Sequence, residues 1–544
     1  MFLVPQARPL VLCAWLSFIS VAAGQSIAAQ PNAVPARAKS SLKEVPLPRA
    51  ARARIGDGSN IFICTAFSQD GETFASGGYE KTITIWDTAN GKAIRSWDAP
   101  EGNISVLVFS PDGKFLASGG VYDTSVHLWN PATGSELHTL RGLPHGASSL
   151  AFSPDGQLLA AGGFHTDEIH LWQVATGKPL SRLCGPTVPS AELDMQPRLV
   201  RDFSHVAFAP DGKTLASGHL HGLIRIWDMK SKRELRHFRG PIDDAFVHVA
   251  FSTDGRFLAG WGSTVRLWST DNWKQFRFVG RQPEMRVSCL AISPDGRMLA
   301  SGSAGRDIGD DRVHLWEVAT GTERCQLNGH RYSVASLAFS PEGSTLVSGG
   351  RDGTAIIWNV DDLPQVDSAQ AKLSSRELEE LWQDLSDTEA ARAFRAIRTF
   401  VHAPVPAVPF LESRLGPVLL VAPRRVSELL AVLDSDRFKE RQQASEELAM
   451  QVDLVEPFLR RALGDGASAE TRRRLEQVLS TRDRSLHSPR QLQLLRSIEV
   501  LERVGTPECQ RILKSLAAGT EGFRITREAK AACERLARKG KQTS

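Results

Sequence analysis

The chain has 544 residues, with 65 Lys/Arg against 61 Asp/Glu, 42% hydrophobic residues and 23% charged ones. That length allows two or three domains, each with its own core, and that composition excludes wholesale disorder. Residues 1–54 carry seven Lys/Arg and one Glu, residues 55–367 carry 28 and 35, and residues 368–544 carry 30 and 25; no broad positive field results, so nucleic acid is not an expected partner.

The first segment reads as a targeting signal. Arg8 precedes an apolar run from Leu10 to Ala23, and the small residues Ala22, Ala23 and Gly24 follow it. Residues 1–24 fit a secretory signal peptide, or an uncleaved N-terminal anchor, and predict an exported protein, periplasmic or extracellular. Cys13 follows Leu12, which does not suit lipid attachment. Residues 25–45 read as a linker. The remaining cysteines (Cys64, Cys184, Cys289, Cys325, Cys509 and Cys533) form no C-x-x-C pair, so a zinc site or thioredoxin-like chemistry is not expected. Cys64 and Cys289 share one register and are expected as buried small residues; Cys509 and Cys533 lie on neighbouring helical runs, where a disulfide and two free thiols are both open.

From residue 46 a period appears. Seven tight turns recur, among them Ser68-Gln69-Asp70-Gly71, Ser110-Pro111-Asp112-Gly113 and Ser340-Pro341-Glu342-Gly343. Each is followed by a small-residue strand and then by a run ending in Trp86, Trp129, Trp172, Trp227, Trp268, Trp316 or Trp358, spaced by 43, 43, 55, 41, 48 and 42 residues. Pro and Asp set up such a turn and Gly accepts its positive φ. Four short strands per period of this length predict a propeller blade, and seven in register predict an all-β seven-bladed propeller over residues 46–363.

These repeats resemble the WD40 family, best in the seventh. There Gly329-His330, Ser348, Asp352 and Trp358 occupy the positions of the family's buried hydrogen-bond tetrad. Asp123 and Asp310 sit at the Asp position of their repeats and Glu80 is a near substitute, while Thr166, His221 and Gly262 depart; most blades lack the Gly-His dipeptide and are expected to hold by packing alone. The resemblance implies closure of the ring by residues around Leu47–Ile55, which supply the outer strand that the last repeat lacks. After a linker at 364–373, apolar residues from Ser374 take helical spacing. Start signals lie at Ser374, Ser386…Glu389, Ser488-Pro489 and Thr506-Pro507, and stops at Gly505, Gly519 and Gly540. Residues 374–544 therefore predict an all-α domain whose stretches Val426–Leu463 and Leu492–Leu536 look like HEAT-like helix pairs. The whole resembles bacterial exported WD40 proteins with a helical C-terminal extension.

No G-x-S-x-G, H-E-x-x-H or P-loop pattern occurs. His330, Ser348 and Asp352 spell a triad, but the resemblance makes them a buried structural network, so no catalytic residue, metal or cofactor is expected. The loop Gly305–Arg312 reads as a solvated insertion, with a calcium site as the alternative. His127, His170, His314, Arg225 and Arg266 stand two before the tryptophan in five repeats, one per blade and too far apart to share a metal; they are expected at the blade rim.

In WD40 proteins the residue seven before each tryptophan projects onto one face of the disc. Here it is Tyr79, Tyr122, His165, Leu220, Trp261, Gly309 or Arg351, and the loop before the inner strand adds Asn60, Gly102, His145, Arg201, Asp244, Met285 and Tyr332. All three tyrosines of the chain fall in these sets. Tyr, Trp and Arg are enriched at interface hot spots. The expected partner-binding face is therefore Tyr79, Tyr122, His165, Leu220, Trp261, Arg351, Tyr332, Arg201 and His145, with the connection Cys184–Phe203 either shaping it or a harmless insertion. The expected function is a monomeric, non-enzymatic scaffold for a protein or peptide partner, touching a membrane only through an uncleaved N-terminal segment. An envelope hydrolase or a glycan- or polyanion-binding propeller is the alternative.

Overall fold

The computed structural model describes residues 46–542 except 49, 57, 59–60, 165, 186–203, 220–221, 240–247, 263, 280–286, 304–310, 364–372, 416–422, 451, 465–466, 485–487 and 520–523. The first 24 residues, the loop at 305–310 and most of the connection after Cys184 therefore lie outside the described residues.

Seven four-stranded antiparallel sheets, six of them in sequence order and one closed by the first strand of the chain, radiate as blades. In every blade the strands are lettered a to d from the centre outward. Blade 1 runs Phe62–Phe67, Thr73–Gly78, Thr82–Asp87 and Ala93–Asp98. Blades 2 to 6 occupy 106–141, 147–183, 205–239, 248–279 and 287–327. Strands a to c of blade 7 are Val334–Phe339, Thr345–Gly350 and Ala355–Asn359, and its outer strand is Ala51–Ile55, antiparallel to Ala355–Asn359. The ends of the propeller sequence thus share one sheet, as expected from the residues around Leu47–Ile55, and no blade keeps a free flank.

Local chemistry repeats with the blades. At the a–b turn a serine hydroxyl donates to the aspartate two residues on, as Ser110 Oγ to Asp112 Oδ1 at 2.7 Å and Ser293 Oγ to Asp295 Oδ1 at 2.6 Å. The glycine that follows is left-handed, φ +70° at Gly113 and +68° at Gly296, a conformation that a Cβ disfavours. Neighbouring a strands are tied around the channel by side chains donating to the next blade's carbonyls: Cys64 Sγ to Ile104 O at 3.5 Å, Ser105 Oγ to Ala147 O at 3.3 Å, Ser148 Oγ to Ser204 O at 2.6 Å and Ser288 Oγ to Val334 O at 2.6 Å. The shared register of Cys64 and Cys289 follows: both sulfurs face the neighbouring a strand, Cys289 Sγ lying 3.5 Å from Val334 O.

After the propeller come ten α-helices among the described residues. They are α1 (Ser375–Asp384), α2 (Ala390–His402), α3 (Pro404–Arg414), α4 (Pro423–Val432), α5 (Phe438–Met450), α6 (Val452–Gly464), α7 (Ala469–Arg484), α8 (Pro489–Val504), α9 (Pro507–Ala517) and α10 (Arg524–Gln542). Ser374 with Glu377 and Ser488 with Gln491 form capping boxes, Thr506 caps α9 and Gly505 ends α8 at φ +68°. The Ser386…Glu389 box expected at α2 does not form: Glu389 is the N-cap without a side-chain bond, because the Ser386 hydroxyl is spent on Gln383 O at 2.6 Å. Cys509 and Cys533 are free thiols rather than a disulfide, Cys509 being buried and receiving the Thr506 hydroxyl at 3.3 Å.

The helices fall into two sets. Helices α4–α7 surround a core of their own that includes Val426, Leu433, Leu448, Leu459 and Leu475. Helices α1–α3 and α8–α10 share one continuous core with blades 6 and 7, running from Leu315 and Trp358 through Trp382, Phe394 and Phe400 to Ile498 and Leu513. A buried charge network crosses this junction. Arg324, 3% exposed on strand d of blade 6, donates to Glu317 and Glu499 at 2.9 Å each. Arg496 of α8 reaches the same Glu317 at 2.6 Å and the carbonyls of Leu385 and Asp387. Arg297 pairs with Glu502 at 2.8 Å and Glu528 at 2.9 Å. Burial penalises all these ions, yet the facing guanidinium groups hold Glu317 and Glu499 below the usual carboxylate range and Glu528 at about 2.

Two outcomes follow from this junction. Glu317→Ala removes the carboxylate shared by two buried arginines and is expected to cost roughly 3–5 kcal/mol in urea unfolding, because it strands buried charge; Glu379→Ala, at the exposed pair with Arg414, is expected to change little. Carboxylates whose folded pKa is depressed contribute stability above their unfolded value, and this is lost as pH falls toward the folded one. The urea midpoint is therefore expected to hold at neutral pH and to drop as pH goes below about 4.5 toward 2, with a shallower drop in Glu528→Gln.

Candidate partner-binding face

The seventh blade forms the tetrad that its residues announce. The Trp358 Nε1–H donates to Ser348 Oγ at 2.8 Å, His330 Nε2 meets the same oxygen at 2.7 Å, and His330 Nδ1 lies 3.2 Å from Asp352 Oδ2. Asp352 also accepts from the Thr354 hydroxyl at 2.7 Å and the Arg331 N–H at 2.9 Å. Burial alone would raise its pKa, but these donors hold it below the ordinary value. His330, Ser348, Asp352 and Trp358 are all buried, so the Ser348 hydroxyl is shut off from solvent.

Packing alone does not hold the other blades. The indole N–H donates to a strand b serine in four more of them: Trp86 to Ser76, Trp129 to Ser118, Trp227 to Ser217 and Trp316 to Ser301, at 2.7–2.8 Å. The residues two before tryptophan are not at a solvated rim either. His127, His170, His314 and Arg225 are buried, because strand c is the third of four and its side chains lie between blades. All but His170 find a hydrogen-bond partner there. His127 meets Asp123 at 2.9 Å and Glu136 at 2.7 Å, His314 meets Glu323 at 2.5 Å, Arg225 pairs with Glu234, Arg266 donates to Gln275 at 3.0 Å, and His170 lies 3.5 Å from Glu168. Burial opposes protonation of His127, but its two carboxylates outweigh that and raise its pKa. In four of these blades the partner stands seven residues after the tryptophan, a spacing present in the sequence and not read from it.

The face itself is built by the b–c and d–a loops. Tyr79 is 46%, Tyr122 67% and Tyr332 52% exposed, while Arg351 and His145 are exposed as well. Tyr332 and Arg351 belong to blade 7, Tyr79 to blade 1 and Tyr122 to blade 2, so the cluster spans adjacent blades. Burial pushes the Tyr79 phenol up while the nearby Arg351 charge opposes the shift. Tyr122 sits at φ +73°, a left-handed backbone costly for an aromatic residue and concentrated at functional positions.

Trp261 does not join this face. In blade 5 strand b runs on to Trp261, which pairs with Val265 of strand c, so Trp261 ends the strand instead of lying in the loop. It is 6% exposed, stacked on His248 at 5.3 Å and edge-on to His205 at 5.7 Å. Arg201, His165 and Leu220 lie outside the described residues, as do Asn60, Asp244, Met285 and Gly309. Among the described residues the polar contacts of the helices with blades 5 and 6 come from the opposite end: Arg256 and Arg297 lie at a–b turns, and Glu317 and Thr322 at a c–d turn.

The WD domain, G-beta repeat family matches residues 55–87, 91–130, 134–173, 200–228, 232–269, 275–317 and 321–359, once in every blade. The seven sheets are WD40 repeats, and together they make a WD40-repeat propeller. The chain is 31% identical over 158 residues to a Periodic tryptophan protein 2 homolog of Dictyostelium discoideum, a match covering 28% of this chain and 17% of the relative. It is 32% identical over 159 residues to Transcription initiation factor TFIID subunit 5 of Caenorhabditis elegans (28% and 23%), and 32% identical over 166 residues to Telomerase Cajal body protein 1 of Bos taurus (28% and 30%). The chain thus spans less than a third of the length of these relatives. They also overturn the exported location expected from residues 1–24: they are eukaryotic proteins named for transcription initiation and the Cajal body, not for export. Among the described residues no helix is long and apolar enough to cross a membrane.

Ser348→Ala strands the Trp358 N–H and one nitrogen of His330 in the core. Unfolding by urea is expected to show a loss of about 1–3 kcal/mol per orphaned group, while the exposed tyrosines keep their accessibility to surface labelling.

Proposed function

We propose that this chain is a non-enzymatic scaffold that captures a protein or peptide partner on the end of the ring built by its b–c and d–a loops. WD40 propellers are protein-interaction scaffolds, and the single observation that carries the reading to this face is the placement of the tyrosines. The chain has only three; all are exposed, and they sit on the adjacent blades 7, 1 and 2. Large aromatic side chains left in water at one place, beside Arg351, are the composition of an interface hot spot. The sealed tetrad supports a role without catalysis, and the HEAT-like helices, anchored at the other end of the ring, extend the scaffold.

The test is capture of partners from a lysate by full-length chain and by Tyr79→Ala with Tyr332→Ala, followed by mass spectrometry. The double variant is expected to lose the partners that wild type enriches, with its thermal midpoint within about 2 °C, since both side chains are solvent-exposed. Retained capture, or a parallel collapse of stability, overturns the reading.

A further inference from the structure

Beside the signature tryptophan, six of the seven blades carry a planar nitrogen-bearing side chain, supplied from more than one segment. In blade 7 it is His330, from the d–a loop, bonded to the strand b serine, a bond that His219 also makes in blade 4. In blades 2 to 6 it is His127, His170, Arg225, Arg266 and His314, from strand c. The imidazoles lie against their tryptophans, with ring centroids 5.7 Å apart for His127 and Trp129, 5.8 Å for His170 and Trp172, and 5.7 Å for His314 and Trp316.

Blade 1 supplies none of these among the described residues. Pairing Phe62 with Gly78, as Val334 pairs with Gly350, puts Gly58 in the register of His330. Thr84 stands two before Trp86, and Ala93 stands where blades 2, 4 and 6 carry Glu136, Glu234 and Glu323. What remains is a cleft of about 150 Å³, lined among others by Ser76, Glu80, Thr84, Trp86, Ala93 and Ser96. That is well above the roughly 10–15 Å³ that admits one water. The tryptophans record the difference: the other six are at most 6% exposed, whereas Trp86 is only part-buried.

The lining keeps the acceptors that a cation needs. Glu80 holds the register of Asp352 and of Asp123, which bond His330 and His127 in their blades. Here its carboxylate is exposed and has no partner among the described residues. Thr84 and Ser96 hydroxyls, 3.0 Å apart, add further acceptors, and the Trp86 ring adds a π face.

We infer that this cleft is a socket for an arginine side chain of a protein partner, which completes the network that blade 1 leaves open. The inference rests on the partner-binding reading and deepens it, since Glu80 follows Tyr79 directly in the b–c turn. The guanidinium lies against Trp86, pairs with Glu80 and donates to the hydroxyls. Arginine fits better than lysine: Arg225 and Arg266 already fill this register in blades 4 and 5, and a planar fork suits the slot beside an indole.

Calorimetric titration of the full chain with acetyl-arginine amide and with its uncharged isostere acetyl-citrulline amide tests the socket. Wild type is expected to bind the arginine probe at least about tenfold more tightly than the citrulline one. Thr84→His with Ala93→Glu, copying blades 2 and 6, is expected to weaken the arginine probe by a similar factor with an unchanged or raised thermal midpoint. Glu80→Gln, at an exposed position, is expected to do the same and decides the matter if the filled variant does not fold. Equal affinity for the two probes, undiminished binding by Glu80→Gln, or no binding by wild type overturns the socket. Such a failure is distinct from failure of the face: a chain that captures partners through Tyr79 and Tyr332 yet ignores the arginine probe refutes the socket alone.

Discussion

The antiparallel pairing of Ala51–Ile55 with Ala355–Asn359 is the constraint on which the rest of the molecule depends. A blade is only four strands wide and cannot bury both flanks by itself, so each must be covered by its neighbours. Leaving the ring open would bare a sheet edge and two apolar flanks at once. Closing it inside one sheet makes the seam a hydrogen-bonded blade built from both ends of the propeller sequence, with Ile55, Phe62 and Phe74 packed on Val347, Ala355 and Ile357. Tyr332 belongs to the blade that holds this seam, and Tyr79 and the open cleft belong to blade 1 beside it.

Within that frame the blades share one plan and differ in how they carry it out. An indole N–H bound to a serine hydroxyl appears in five of them, yet the nitrogen-bearing side chain beside the tryptophan comes from the d–a loop in blade 7 and from strand c in blades 2 to 6, with His219 of the b–c turn meeting the serine in blade 4. Buried polar groups must be satisfied, and the packing accepts any donor of the right shape and reach. That tolerance explains why repeats that look degenerate beside the seventh are still well bonded. His127 with Asp123 and Glu136 reproduces from another strand what His330 does with Asp352.

Helices α1–α3 and α8–α10 are part of the same body as the propeller rather than an appendage. Strand d carries an exposed Ile94, Leu137, Leu180, Leu235 or Phe276 eight residues after the tryptophan in blades 1 to 5. In blade 6 that register is Arg324, covered by α2 and α8 and paired with Glu499. The outer edge of one blade has thus become an internal surface, with paired charges that favour one docked geometry over a sliding apolar contact.

The sequence by itself determined the architecture: repeated Asp-Gly turns, tryptophan spacing and strand-length apolar runs are local signals, and seven of them in register admit a ring of blades. The tetrad of blade 7 was legible for the same reason, since its residues lie within one repeat. The sequence likewise placed Tyr79, Tyr122 and Tyr332 in loops, because loop membership is a local property. Only the tertiary structure decided what depends on distance. It buried Trp261, because its strand runs on to pair with Val265 and the indole stacks on His248 of the neighbouring strand. It drew His127, His314 and Arg225 inward, because burial between blades is set by the neighbouring sheet. It joined Arg324 and Arg297 to Glu499 and Glu502, partners 175 and 205 residues away, which no periodicity records. Spacing along a chain fixes hydrogen bonds within a repeat; which faces meet, and what space they leave open beside Trp86, is fixed by how whole repeats pack.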